Sequence, residues 1–308
     1  MEKYLIAGGA GFIGANLCER LISDGHFVVC IDDLTTGSKS NIEHLVGNPN
    51  FIFIPMSIVW NTDSDIFLDL YSVLYSHFKN DGCIINLASP ASPVAYKGNP
   101  LGTLNVNLEG TKNLLEIAQH LSLRFIQVST IKVLENSNPL STDACYVEGK
   151  RAAETLCMEY RKKNMDVRIA RLYNTYGKYM SIDDGRVVPT FITNALYRMP
   201  PHIIGGDQLD SFCYIDDIVD GLLKLAAYSG DEYVFTFGYP DMLSIKALWK
   251  IVIDNTGGYK PYVVSETTTY SDRPRPDITL AQNLLQWVPK TDIETGIKKT
   301  IEYFRKIV

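Results

Sequence analysis

Four glycines fall within seven residues near the start of the chain, in Gly8-Gly9-Ala10-Gly11-Phe12-Ile13-Gly14. They follow the short apolar run 4–7 and open a segment, 15–23, with helical spacing. Strand, glycine turn and helix in that order make a pyrophosphate cradle. Residues without a Cβ let the turn close and let the backbone approach a phosphate, and the free N–H groups at the helix start attract the anion. After Gly25 comes the apolar run Phe27-Val28-Val29-Cys30-Ile31, which reads as a buried parallel strand ending at Asp32 and Asp33. An acid about 20 positions beyond the glycines is placed to accept from the adenosine ribose hydroxyls and to repel a 2′-phosphate. The expected cofactor is therefore NAD rather than NADP.

The periodicity alternates strand and helix through about the first 170 residues. Strands are expected at 51–54, 83–88, 125–128 and 167–172, with helices at 65–78, 103–120 and 147–164. The helix over 103–120 shows an apolar stripe at Leu104, Leu108, Thr111, Leu115 and Ala118. This order predicts an α/β fold with a doubly wound parallel sheet and ligands at the carboxyl ends of its strands. From about residue 175, Gly177, Gly185, Pro189, Pro200-Pro201 and Gly205-Gly206 punctuate shorter elements. The expected division is a Rossmann-like dinucleotide domain over 1–174 and a smaller substrate lobe over 175–308, some of whose segments return to the first domain. A last amphipathic helix is expected over 293–306.

Composition narrows the function. The 308 residues carry a formal net charge of −6, and the longest basic run is Arg161-Lys162-Lys163, which argues against a nucleic-acid surface. Six cysteines (Cys18, Cys30, Cys83, Cys145, Cys157, Cys213) show no Cys-x-x-Cys pair, so core thiols are expected and neither a metal site nor a disulfide. No apolar run approaches 18 residues, and the chain begins directly with a strand, so a cytoplasmic enzyme without signal peptide or membrane span is expected.

Tyr146 and Lys150 lie four residues apart on an expected helix and so share a face. An ammonium beside a phenol favours the phenolate, as does the positive nicotinamide of bound NAD, and such a phenol takes a proton from a substrate alcohol while hydride leaves for the cofactor. Ser129 and Thr130, at the end of an expected strand, can donate to the same oxygen.

These features, with Asn107-Leu108-Glu109-Gly110-Thr111 and Arg171-Leu172-Tyr173-Asn174-Thr175-Tyr176-Gly177, resemble the extended short-chain dehydrogenase/reductase family, the NAD-dependent epimerases and dehydratases of nucleotide sugars. The resemblance covers nearly the whole chain. Within that family it is nearest to the UDP-glucuronate decarboxylase (UDP-xylose synthase) group, on the wording of residues 87–93, 144–151, 184–188 and 273–277. The resemblance implies NAD-dependent oxidation of the sugar C4 hydroxyl, transformation of the ketone and usually return of the hydride. Carried over by position, Tyr146 is the base, Lys150 orients the nicotinamide ribose, and Thr130 supports the C4 oxygen. Gly8, Gly11, Phe12, Ile13, Gly14, Asp32, Leu87, Ala88 and Ser129, with Tyr146 and Lys150, hold the cofactor. Asn174, Val188 and Arg273 hold the nucleotide diphosphate. A homodimer paired through the helices at 103–120 and 147–164 is also implied.

The chain departs from that pattern at two charged positions. Lys132 stands where the family carries an acid two residues past the Thr, and Asp210 stands where it carries an arginine before the Phe-x-Tyr segment. Decarboxylation survives the first change, because a C6 carboxylate beside a C4 ketone is a β-keto acid that loses CO₂ into the ketone without a dedicated base. A 4,6-dehydration survives it less easily, since a group must remove the C5 proton. Lys132 and Asp210 are thus candidate substrate contacts, or partners of each other. The 130–146 connection also looks shorter than in the decarboxylases, which implies a reshaped sugar site. Ser57 replaces an acid near the adenine, and Ala7 the usual first residue of the glycine motif. The rival readings are a nucleotide-sugar 4-epimerase, a 4,6-dehydratase or a simple C4 oxidoreductase and, from another class, a non-catalytic nucleotide-sugar or dinucleotide sensor.

Overall fold

The structure is a computed structural model and describes residues 1–60, 65–135, 138–141, 144–257, 262–265 and 273–308, with the side chains of 65–69 outside the description. The sheet begins with β1 (Lys3–Ala7), β2 (Phe27–Ile31), β3 (Phe51–Ile54), β4 (Cys83–Asn86), β5 (Arg124–Thr130) and β6 (Val167–Leu172). A later strand, Val234–Phe237, joins it beside β6 to make seven, in the order Val234–Phe237, β6, β5, β4, β1, β2, β3. Pairing is parallel from β3 through β2, β1 and β4 to β5. All five residues of β2 are buried, which only a strand covered on both faces allows. The expected α/β class with a doubly wound parallel sheet is borne out.

Helices α1 (Phe12–Ser23), α2 (Asp65–Phe78), α3 (Pro93–Gly98), α4 (Pro100–Asn105), α5 (Thr111–Leu121) and α6 (Ala144–Arg161) accompany this part of the chain. Leu5, Val29, Ile31, Leu74, Phe78, Ile84, Leu114 and Phe125 form one buried cluster in which helix side chains close over the sheet. Burial at this density is the main stabilising term, at roughly 25 cal/mol per Å² of apolar surface removed from water. All six cysteines are free thiols and buried, as the sequence pattern predicts.

One expected helix needs correction. Residues 103–120 do not form a single regular turn sequence: α4 and α5 are joined by a π-helical turn at Val106–Gly110. The wider turn shifts the helix face, so that Thr111, Leu115 and Ala118 are buried while Leu104 and Leu108 are exposed. Helix α6 starts at Ala144 rather than 147, which places Tyr146 in its first turn. The connection before α6, expected to be short, lies partly outside the described residues.

The chain divides into two compact units. The first comprises Met1–Ala91, Ala95–Arg171 and Leu225–Phe235, and the second Ser92–Val94, Leu172–Lys224 and Thr236–Val308. Within the second, β7 (Asn174–Tyr176) pairs in parallel with β10 (Phe212–Tyr214), and β8 (His202–Ile204) with β13 (Val263–Ser265). The short strands β9 (Leu209–Asp210) and β12 (Leu243–Ser244) pair antiparallel, and β11 is the sheet strand Val234–Phe237. Helices α7 (Val187–Leu196), α8 (Ile215–Ala227), α9 (Ile245–Thr256), α10 (Thr279–Leu285) and α11 (Ile293–Phe304) complete the chain. The buried Asp217 carboxylate accepts from the Lys290 N–H at 2.9 Å and the Thr291 N–H at 3.0 Å, fixing the connection between α10 and α11.

Candidate active site

The glycine loop has the closure that a dinucleotide needs. Gly8 takes φ of +77°, and a Cβ there would lie 2.8 Å from the Ala88 nitrogen. A Cβ on Gly14 would lie 2.1 Å from the Gly8 carbonyl oxygen, so the first turn of α1 packs directly on the loop. Gly11 is the N-cap of α1 and supplies no side-chain cap, so the start of this helix offers its positive end to an anion. The sequence expectation of a pyrophosphate cradle fits this geometry.

Asp32 closes the loop from the end of β2. Its Oδ2 accepts from the Ala10 N–H at 2.9 Å and its Oδ1 from the Leu34 N–H at 2.8 Å. Burial pushes this carboxyl above its usual range, and the backbone N–H groups of Leu34, Ala10 and Gly11 oppose that shift. At the end of β4, Asn86 Oδ1 accepts from the Ala88 N–H at 3.2 Å, while its Nδ2 donates to Gln127 Oε1 at 2.9 Å. Leu87 and Ala88, both expected against the cofactor, are thereby anchored by a buried amide pair that the sequence reading missed. One amide residue inside each of two apolar runs, Asn86 and Gln127, was its only signal.

Lys150 is fully enclosed, and its Nζ donates to the Val128 carbonyl at 3.0 Å, two residues before Thr130 on β5. Burial brings its pKa down from 10.5 to about 8, with the neighbouring Glu154 carboxylate pulling the other way. The Tyr146 ring lies nearly parallel to that of the buried Tyr96, at 5.4 Å between centroids and 12° between planes. Thr130 Oγ1 accepts from the Lys132 N–H at 3.3 Å, which leaves its own proton to donate. Lys132 lies in the short helical turn Ile131–Leu134 and is half-buried.

The structure separates Ser129 from Thr130 in role. Ser129 Oγ donates to Glu154 Oε1 at 2.6 Å, so its proton is committed, whereas that of Thr130 is not. Ser129 was expected to donate to a substrate oxygen as well; in the structure that proton goes to Glu154. Glu154 also accepts from Arg171, Nε to Oε1 at 3.0 Å and Nη2 to Oε2 at 2.6 Å. Neither Glu154 nor its pairing was read from sequence, although the spacing of four from Lys150 places it on the same helix face. Asn107, within the π-helical turn, is buried with an Oδ1 that has no hydrogen-bond partner.

The expected diphosphate residues belong to the second unit. Asn174 Nδ2 donates to the Ser211 carbonyl at 3.2 Å. Val188 lies in the first turn of α7, where backbone N–H groups lack intrahelical acceptors. Arg273 Nε is 3.2 Å from Asp210 Oδ2, so these two expected substrate contacts are paired with each other.

Residues 4–235 match the model of the NAD dependent epimerase/dehydratase family. The chain is 37% identical over 325 residues to UDP-glucuronic acid decarboxylase 2 of Arabidopsis thaliana, covering 99% of this chain and 69% of that protein. A solved UDP-glucose 4-epimerase from Thermotoga maritima, determined with UDP-glucose, superposes with a TM-score of 0.85 at 28% identity, covering 99% of each chain. The UDP-glucuronic acid 4-epimerase of Bacillus cereus, in complex with UDP-glucuronic acid and NAD, superposes with a TM-score of 0.83 at 26% identity, covering 99% of this chain and 100% of that one.

Proposed function

The chain belongs to the NAD dependent epimerase/dehydratase family, and we propose that it oxidises the C4 hydroxyl of a nucleotide-diphosphate sugar, acting nearest to a UDP-glucuronic acid decarboxylase. The observation that carries this reading is the arrangement on β5 and α6: a buried Lys150 tied to Val128, Tyr146 one turn earlier, and Thr130 with a proton to give. Gly8, Gly11, Gly14, Asp32, Leu87, Ala88 and Lys150 would hold NAD, which when bound supplies the hydride acceptor. Tyr146 takes the C4 hydroxyl proton as general base, Lys150 favours the phenolate, and Thr130 donates to the C4 oxygen. Asn174, Val188 and Arg273 grip the diphosphate, the arginine through a guanidinium suited to phosphate oxygens.

With a ketone at C4, a uronic C6 carboxylate is a β-keto acid, and loss of CO₂ needs no acid at position 132. Lys132 then suits a uronate better than the carboxylate it replaces, because an ammonium attracts the C6 group. Incubation with UDP-glucuronate and analysis of products by mass spectrometry tests this: release of CO₂ supports the decarboxylase, and a retained carboxylate eliminates it. A 4-epimerase is the second reading. It is favoured by the same Lys132, since epimerisation needs only Thr130, Tyr146 and Lys150 and room for the ketone to turn, and it gives an epimer of unchanged mass. Tight nucleotide-sugar binding with no turnover across a broad panel would instead support a sensor.

The protein acts as a homodimer in the cytoplasm. Leu101, Leu104 and Leu108 expose an apolar row on the α4 side of the helix that contacts α6, a surface suited to a second copy. Six free cysteines fit a reducing compartment. Light scattering at micromolar concentration tests the dimer, and a monomeric mass overturns it.

A further inference from the structure

Arg273 is held in place by more than its charge. Its backbone N–H donates to the Leu209 carbonyl at 3.1 Å, and its Nε faces Asp210 Oδ2 at 3.2 Å. Asp210 is itself fixed, since it sits in β9, paired with Leu243 of β12, and its Oδ1 accepts from the Ser211 N–H at 2.8 Å. The Asn174 amide donates to the carbonyl of that same Ser211. The two residues assigned to the diphosphate therefore converge on the stretch 209–211. Neither terminal nitrogen of Arg273 makes a hydrogen bond to a described residue, and the side chains of Arg273 and Asp210 are 25% and 15% exposed. The ion pair brings the carboxylate to 3.2 Å from Nε, and the terminal nitrogens form no hydrogen bond with a described residue.

We propose that Asp210 is a specificity-determining residue of this subsite, one that aims the Arg273 fork and cancels its charge. The inference rests on the reading of Arg273 as the diphosphate anchor. A guanidinium alone attracts any anion in proportion to charge, whereas one paired with a fixed carboxylate presents donors in a set geometry with little net charge. Phosphate oxygens of a nucleoside diphosphate are then bound by direction, and the binding is weak in its dependence on salt. Ligands carrying more negative charge gain nothing, because Asp210 repels what Arg273 attracts.

Calorimetric titration of the full chain with UDP, over a series of salt concentrations, tests this. Asp210→Asn keeps the acceptor for the Ser211 N–H and removes the charge, and it should bind UDP about tenfold more tightly with a steeper loss of affinity as salt rises. Arg273→Gln should bind about tenfold more weakly, and in that background Asp210→Asn should lose most of its effect. A role of Asp210 in folding alone would leave the salt slope unmoved. Asp210→Ser, with thermal unfolding of each variant, guards against loss of structure. If Arg273→Gln weakens UDP while Asp210→Asn and Asp210→Ser leave affinity and salt slope unchanged or lower the affinity, the charge-balancing role is wrong and the anchor stands. If Arg273→Gln leaves UDP binding unchanged, the anchor reading fails and this inference falls with it.

Discussion

Lys150 Nζ donates to the Val128 carbonyl at 3.0 Å, joining the helix that carries Tyr146 to the strand that ends in Thr130. A single buried cation thereby links the proposed base to the group proposed to support the substrate oxygen. Removing the Tyr146 hydroxyl should cut kcat by about 10²- to 10⁴-fold, the range for general acid–base groups, with NAD affinity little changed. Steady-state kinetics and cofactor titration of Tyr146→Phe check this, and equal loss of NAD binding would assign the phenol to the cofactor instead.

Lys150 also gives a pH dependence of stability. Its pKa falls from 10.5 to about 8 on folding because burial disfavours the ammonium, so between these values the unfolded chain binds more protons. Stability from this group is therefore full above about pH 10.5 and lost as pH falls through about 8. Denaturant unfolding of the wild type and Lys150→Met from pH 7 to 10.5 should show the wild type gaining relative to the variant as pH rises. Parallel curves would mean that Lys150 is not perturbed.

Ser129 and Thr130 are adjacent but should respond differently. Thr130→Val should lower kcat with little effect on folding. Ser129→Ala should keep most activity and lose about 1.5–3 kcal/mol, the range for a hydrogen bond to a charged group. Glu154→Gln should be more harmful, by about 3–5 kcal/mol, because it leaves the partly buried Arg171 guanidinium without its counter-charge. Thermal or denaturant unfolding beside initial rates separates the three.

Much of the unit-one site was legible because its signals are local. The glycine loop, the five apolar residues of β2 and the Tyr146–Lys150 spacing each lie within one strand, turn or helix, and the fold placed them as read. The α4–α5 stripe was misread because the π-helical turn at Val106–Gly110 shifts the face, and no residue type there marks it. The pairing of Arg273 with Asp210, and of Glu154 with Ser129 and Arg171, joins residues distant in sequence. Periodicity carries no information about such contacts. Charge reversal at position 210 signalled that something had changed, but only the fold supplied its partner.

Asp32 should set both cofactor choice and its acid sensitivity. Asp32→Ala should weaken NAD binding and narrow the preference over NADP, since a ribose hydroxyl loses its acceptor and a 2′-phosphate loses its repulsion. Burial raises the Asp32 carboxyl above its ordinary range, so NAD affinity should fall on acidification from a higher pH than an unperturbed aspartate would give. Fluorescence titration with both dinucleotides across pH 4 to 7 checks each part.

Single-turnover absorbance at 340 nm, on NAD-loaded protein mixed with UDP-glucuronate carrying hydrogen or deuterium at C4, tests C4 oxidation most directly. The expected result is a transient rise that deuterium slows severalfold and that Tyr146→Phe abolishes. Turnover of the sugar with no such transient, or with one indifferent to both the isotope and the phenol, would contradict the account.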